Sequence, residues 1–164
     1  MKIGDRVPDF QLPAAEQGVK KMISMKDYQG AFVVLFYYPK DHTPFCTEQN
    51  CSFRDHMDFF ELDLPYRCVV LGVSPDSVVS HLRFARKNRL PFPLISDEDF
   101  TIADRFGTRT EESLISSPAV QRITYLIDPS GVVERIYRVM DISTHVAEVV
   151  QDLRTEQQRW SRRE

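Results

Sequence analysis

The sequence lacks any strong excess of charge: 21 lysines and arginines stand against 24 aspartates and glutamates, a formal net charge of -3. That balance removes the electrostatic reason to expect nucleic acid or an acidic membrane surface as partner. The short basic end RWSRRE reads as a solvated helix terminus. Long apolar runs are missing too. The longest, Ala31–Tyr38, is strand-sized and far short of a bilayer span. No charged-then-apolar leader precedes Gly4, so no secretory signal is expected. Cysteine is scarce, three in 164 residues and an odd number. That argues against a secreted disulfide framework and for reactive or buried thiols in a reducing compartment, with the cytosol as the expected location. Repeats, low-complexity tracts and linkers are also absent. A chain of this length is therefore expected to form one domain, residues 1–164, with a substantial core.

What the chain does contain is an alternation of strand and helix patterns. DRVPDFQLPAA and VKKMISM read as an N-terminal ribbon with Gly18 near its turn. AFVVLFYY (31–38) is a continuous β-branched and aromatic run, which suits a strand buried on both faces. A helical pattern starts after Pro44 and runs towards Leu62, and RCVVLGVS (67–74) is a second buried strand. The next helix has Ser74 or Asp76 as cap and Val78, Val79, Leu82, Phe84 and Ala85 as its apolar face. FPLISD is a short strand, and DEDFTIADRFG a short helix closed by Gly107. RITYLID and VVERIYR form a hairpin about Asp128–Gly131. The last helix, capped by Ser143 or Thr144, carries Val146, Val149, Val150, Leu153 and Trp160. This order predicts an α/β fold with a mixed sheet.

The chemistry gathers in YYPKDHTPFCTEQNCSFRD, Tyr37 to Asp55. Proline disfavours helical dihedrals in the residue before it and suits the first helical position. Thr43 is thus the expected N-cap, Pro44 the first helical residue and Cys46 the third. A cysteine there meets unsatisfied N–H groups and the positive end of the helix dipole. Both favour the thiolate, which is the nucleophile.

Cys51 follows five residues later. On an ideal helix that is about 7.5 Å of rise and about 140° of rotation, so the Cα atoms lie about 8.6 Å apart. A disulfide tolerates up to about 7 Å. Either the two never pair, or pairing unwinds the helix. The same rotation argues against a zinc site built from His42, Cys46, Cys51 and His56, because the two thiols diverge and no CxxC accompanies them. His56 and His81 read as surface helix positions and His42 as a loop residue.

At these residues the sequence resembles the peroxiredoxins, within them the bacterioferritin comigratory protein (PrxQ-like) group. The resemblance spans GDRVPDFQL, FYYPKDHTPFCTEQNCSFRD, VVLGVSPDS, LPFPLISD and RITYLIDPSG. It implies a thioredoxin-like fold with an N-terminal extension, and hydroperoxide reduction. By the same likeness Cys46 is the peroxidatic nucleophile, Thr43 binds the peroxide, and Arg122 stabilises the thiolate and the developing charge on oxygen. Pro39 walls the pocket. Cys51 resolves the Cys46 sulfenic acid as an intramolecular disulfide. An external dithiol, thioredoxin or glutaredoxin, resets it. No metal, haem or flavin is required, and resolution within one helix fits a monomer or a weak dimer. Gln49 and Arg54 match helix positions typical of the family, though a solvated helix face explains them equally. Cys68 reads as a core thiol, and Asp97 and Asp128 as turn residues.

One residue departs from the family pattern. Glycine is usual just before the catalytic cysteine, and this chain has Phe45. A bulky residue there is expected to stiffen the first turn and to shift preference towards organic hydroperoxides. Two other functions use the same cysteine pair. A general thiol–disulfide oxidoreductase would carry a CxxC and has no need of Thr43 and Arg122. A redox sensor or holdase would not turn over peroxide, and the sequence offers no dedicated interaction segment for it.

Overall fold

Six consecutive buried residues, FVVLFY, form β3 (Phe32–Tyr37), and their burial on both faces places this strand inside the sheet. The computed structural model describes residues 1–61, 65–109 and 120–164. Phe32, Val34, Phe36 and Tyr38 point into one layer, and Val33, Leu35 and Tyr37 into the other. β4 (Cys68–Ser74) lies parallel to β3, and β5 (Leu94–Ser96) parallel to β4. β6 (Ile123–Ile127) runs antiparallel on the other side of β3, with Ile123 opposite Tyr37. β7 (Val133–Arg138) completes the hairpin with β6.

The N-terminal ribbon forms as expected from β1 (Gln11–Glu16) and β2 (Val19–Ser24). Its turn residues Gln17 and Gly18 have φ of 49° and 81°, the left-handed pair that a two-residue hairpin turn demands. β1 pairs with β5 through Ala14 and Ile95, giving one mixed sheet in the order β2-β1-β5-β4-β3-β6-β7.

One face carries α1 (Pro44–Asp55), α2 (Met57–Glu61), Phe84 of α3 (Val78–Asn88) and α5 (Ile142–Ser161). The other packs against α4 (Thr101–Phe106) and the segment bearing Val7 and Phe10. α1 is fixed to the sheet by Phe53, whose ring stacks on Phe36 with centroids 4.3 Å apart. No helix among the described residues is long and apolar enough to cross a membrane.

Several expectations require correction. The helix expected to run towards Leu62, a residue outside those described, is interrupted at His56, where α1 ends. The His56 ring Nδ1 lies 2.7 Å from the Ser52 carbonyl, which the His56 amide would otherwise take, and that amide bonds Phe53 O instead. α3 is capped by Ser77, which accepts from the Ser80 amide, because Ser74 and Asp76 are bonded to each other. α5 is capped by Asp141, which accepts from both the amide and the hydroxyl of Ser143. Val79 faces solvent instead of joining the α3 apolar face. Two expectations hold: Asp128 makes its turn by accepting from Ser130 and Val132, and Gly107 closes α4 with φ of 76°.

Candidate active site

Local sequence and sheet register meet at the end of β3. Thr43 is extended, at φ −92° and ψ 152°, with Pro44 opening α1 behind it. Cys46 is therefore the third residue of the helix, 1 % exposed and reduced. Register supplies the second half. Because Ile123 faces Tyr37 across the antiparallel pair, Arg122 emerges beside the loop that leaves β3. Its Nη2 donates to Cys46 Sγ at 3.4 Å. The Arg122 carbonyl accepts from Val139 N, which fixes the main chain at this point.

Gln49, one turn after Cys46 and fully buried, accepts from Arg122 Nη1 at 2.5 Å. Its Nε2 meets no acceptor among the described residues. A Cys46–Gln49–Arg122 cluster is thus closed by two guanidinium bonds, and Gln49 belongs to the site and not to a solvated face. Asn50 adds a bond from Nδ2 to the Cys46 carbonyl at 2.9 Å.

Thr43 occupies the cap position without capping. Its hydroxyl donates back to Lys40 O at 2.7 Å and makes no bond to the first-turn amides. Pro39 is half-buried in the same loop. Phe45 is 67 % exposed, so its ring narrows no buried pocket in this arrangement.

Cys51 lies on the unbroken helix with Cys46, and both thiols are free. Its Sγ faces Asn88 Oδ1 of α3 at 3.8 Å. Cys68 is a core thiol, and burial pushes its pKa up far beyond the ordinary range. Asp97 is wholly buried, accepts from Tyr37 OH and holds the amides of Ile102 and Ala103, which makes it the cap of α4.

His81 is not a surface residue. It is fully buried, with Nδ1 2.7 Å from Asp41 Oδ2 and Nε2 3.1 Å from Ile95 O. Asp41 also accepts from Tyr38 OH at 2.6 Å and Ser80 Oγ at 2.8 Å, and its amide donates to Asp76. The sequence signal is the SPDSVVSH run, but nothing local indicates that an aspartate forty residues earlier reaches it. Asp41, Asp76 and His81 bring one ligand atom each within 4.8 Å of one another. All three are committed to hydrogen bonds, so the group is a buried network that anchors the loop before α1 to α3. His42, at φ 63°, rests its ring edge-on against Phe84.

Residues 3–136 match the AhpC/TSA family. The chain belongs to that family. It is 38 % identical over 152 residues to the putative peroxiredoxin bcp of Coxiella burnetii, covering 92 % of this chain and 97 % of that one. It is 37 % identical over 157 residues to peroxiredoxin Bcp of Bacillus subtilis, covering 94 % and 96 %. Among solved structures, a cysteine-to-serine mutant of Xylella fastidiosa PrxQ superposes with a TM-score of 0.84 at 31 % identity, covering 95 % of this chain and 97 % of that one. The fold is thioredoxin-like and the chain is a peroxiredoxin, a thiol-dependent peroxidase. The oxidoreductase and sensor readings of the same cysteines are not favoured. Peroxide as substrate and a thiol as reductant follow from that membership.

Proposed function

We propose that Cys46 is the peroxidatic nucleophile, that Cys51 resolves its oxidised form, and that Thr43, Arg122 and Pro39 shape and polarise the site. The observation that carries this reading is the Arg122 donor 3.4 Å from a sulfur in the first turn of α1. The Cys46 thiolate attacks the terminal oxygen of a hydroperoxide. An S–O bond forms, the O–O bond breaks, and the leaving oxygen takes a proton to depart as water or an alcohol. The Arg122 guanidinium beside the sulfur is permanently charged and stabilises negative charge as it moves to the leaving oxygen. A hydroxyl offers one donor and two acceptor positions. Thr43 can therefore accept from the peroxide O–H while still donating to Lys40 O. Pro39 walls the pocket without presenting an N–H.

Cys51 then attacks the sulfenic sulfur. The S–O bond breaks, the S–S bond forms, and the hydroxyl leaves with the thiol proton as water. Since both residues sit on one continuous helix, α1 opens between them during this step. Substrates are hydrogen peroxide and organic hydroperoxides, with the exposed Phe45 ring offering an apolar flank to the latter. A dithiol protein, thioredoxin or glutaredoxin, reduces the disulfide. Resolution within one chain lets a monomer or a weak homodimer complete the cycle. Residues 1–164 act as one cytoplasmic domain with no nucleic acid or membrane partner.

The test mixes reduced wild type, Cys46→Ser and Cys51→Ser with substoichiometric peroxide. Rapid peroxide loss in wild type, none in Cys46→Ser, and a trappable sulfenic acid in Cys51→Ser are the expected results. Slow, equal thiol oxidation in all three overturns the assignment.

A further inference from the structure

α3 grips α1 at both ends, and the two grips differ in kind. At the N-terminal end, Asp41 in the loop before α1 is bound to Ser80 and His81 of α3, and the Asp41 and His81 side chains are both 0 % exposed. That grip is sealed. At the other end, Cys51 and Arg54 sit three residues apart on one face of α1 and both finish on Asn88, the last residue of α3. Arg54 Nη1 donates to the Asn88 carbonyl at 2.7 Å, and Cys51 Sγ faces the Asn88 side-chain oxygen at 3.8 Å. The Asn88 amide group is itself tied to Phe84 O at 3.0 Å, so it is a fixed partner.

The Arg54 contact also satisfies a carbonyl at a helix end. α3 closes with Arg89 in the left-handed conformation at φ 52°, and the last carbonyls of a helix have no partner inside it. A guanidinium from α1 supplies one and places positive charge at the negative end of the α3 dipole. Arg54 keeps 33 % of its side chain exposed, so water can replace the bond when α1 moves.

Resting on the proposed roles of Cys46 and Cys51, we infer that Arg54 and Asn88 form a latch that sets the rate of resolution. Moving Cys51 towards Cys46 rotates the helical turn that carries Arg54, and both contacts to Asn88 break. While the latch is closed, Cys46 sulfenic acid stays in the folded site and is open to a second peroxide, which gives the sulfinic acid. Once it opens, the disulfide forms. The latch therefore sets the partition between turnover and over-oxidation without touching the first chemical step. Arg54 and Asn88 are positioning residues, because neither bonds Cys46 or Arg122.

Rapid quench with dimedone labelling and mass spectrometry follows sulfenic acid, disulfide and sulfinic acid on Cys46 across a peroxide series. For Arg54→Met, disulfide formation should speed up about five- to tenfold, the effect of losing the charge-assisted bond to Asn88; the pair Arg54 also makes with Asp55 at 2.9 Å lies within α1 and does not hold α1 to α3. The peroxide concentration giving half over-oxidation should rise by the same factor. The rate of sulfenic acid formation should change less than twofold. Asn88→Ala keeps the main-chain bond to Arg54 and should accelerate resolution about twofold; it also serves if Arg54→Met fails to fold. Arg54→Lys should fall between wild type and Arg54→Met. Normal sulfenic acid formation with an unchanged partition in these variants overturns the latch. If wild type forms no sulfenic acid on Cys46, the assignment of the site fails, and the latch with it.

Discussion

Arg122 and Cys46 are 76 residues apart in sequence and 3.4 Å apart in space, guanidinium to sulfur. The contact exists because β6 lies antiparallel to β3 and delivers Arg122 where β3 hands the chain to α1. Arg122→Met removes the only cation bonded to the sulfur among the described residues and should slow sulfenic acid formation about 100-fold or more. Arg122→Lys keeps the charge but replaces the planar fork, which bonds Gln49 and Cys46 from two separate nitrogens, with a single ammonium, and should recover only part of the loss. Stopped-flow measurement of peroxide consumption by the reduced protein checks both, with the circular dichroism spectrum as control for folding.

Gln49 separates positioning from charge. Its carbonyl oxygen anchors Arg122, and it lies one turn beyond Cys46. Gln49→Met leaves the guanidinium charge intact but frees it to swing. About tenfold slower sulfenic acid formation is expected, smaller than for Arg122→Met. Equal losses in the two variants would show that Gln49 contributes more than orientation.

Phe45 is open to solvent at the second position of α1, so its effect on the first turn runs through the backbone. Glycine is less favourable in a helix than phenylalanine by ~0.5 kcal/mol. Phe45→Gly should therefore ease unwinding and speed disulfide formation about twofold. It should also lower the rate on cumene hydroperoxide relative to hydrogen peroxide. If neither the ratio nor the resolution rate changes, Phe45 has no part in the cycle.

Gly72 marks how tightly β4 packs beside the site strand. A Cβ there would lie 2.7 Å from Leu94 Cδ2 and 2.9 Å from Phe36 Cζ, both in fully buried side chains. Phe36 in turn supports Phe53 of α1. Gly72→Ala should destabilise the fold by ~1–3 kcal/mol through overpacking, read as a lower urea midpoint. An unchanged midpoint would mean that Phe36 and Leu94 repack freely.

Features set by short-range chemistry are legible in the sequence. The all-apolar run gives a doubly buried β3, Thr43–Pro44 gives the start of α1, and Asp128–Gly131 gives the hairpin turn. What escapes a sequence reading depends on residues distant in the chain. Three cap-type residues precede α3, and the choice of Ser77 follows from Ser74 and Asp76 being engaged with each other and with Asp41. His81 has the sequence surroundings of a surface position because Asp41, its buried partner, comes from the loop after β3. The Thr43 hydroxyl has the sequence position of a cap, but Lys40 O competes for it. Family likeness singles out Arg122; only the strand register explains how it reaches the sulfur.

His145 gives the fold a pH dependence whose sign is fixed by its surroundings. The ring is 3 % exposed, packed edge-on against Phe53 and Tyr137, with Nε2 2.8 Å from Thr124 Oγ1. Burial first, and the Arg122 charge second, push its pKa down from 6.5 to about 4. Between those values the unfolded chain binds a proton that the folded chain refuses, so stability falls as pH drops. The contribution is fully present above about pH 6.5 and lost progressively towards pH 4. From about pH 7.5 to about pH 4.5 this one group should remove about 2.5 kcal/mol of stability. His145→Gln has no proton to take up and should lose that much less over the same interval. Urea unfolding of both proteins at the two pH values measures the difference. Parallel losses in wild type and variant would place the acid sensitivity elsewhere in the chain.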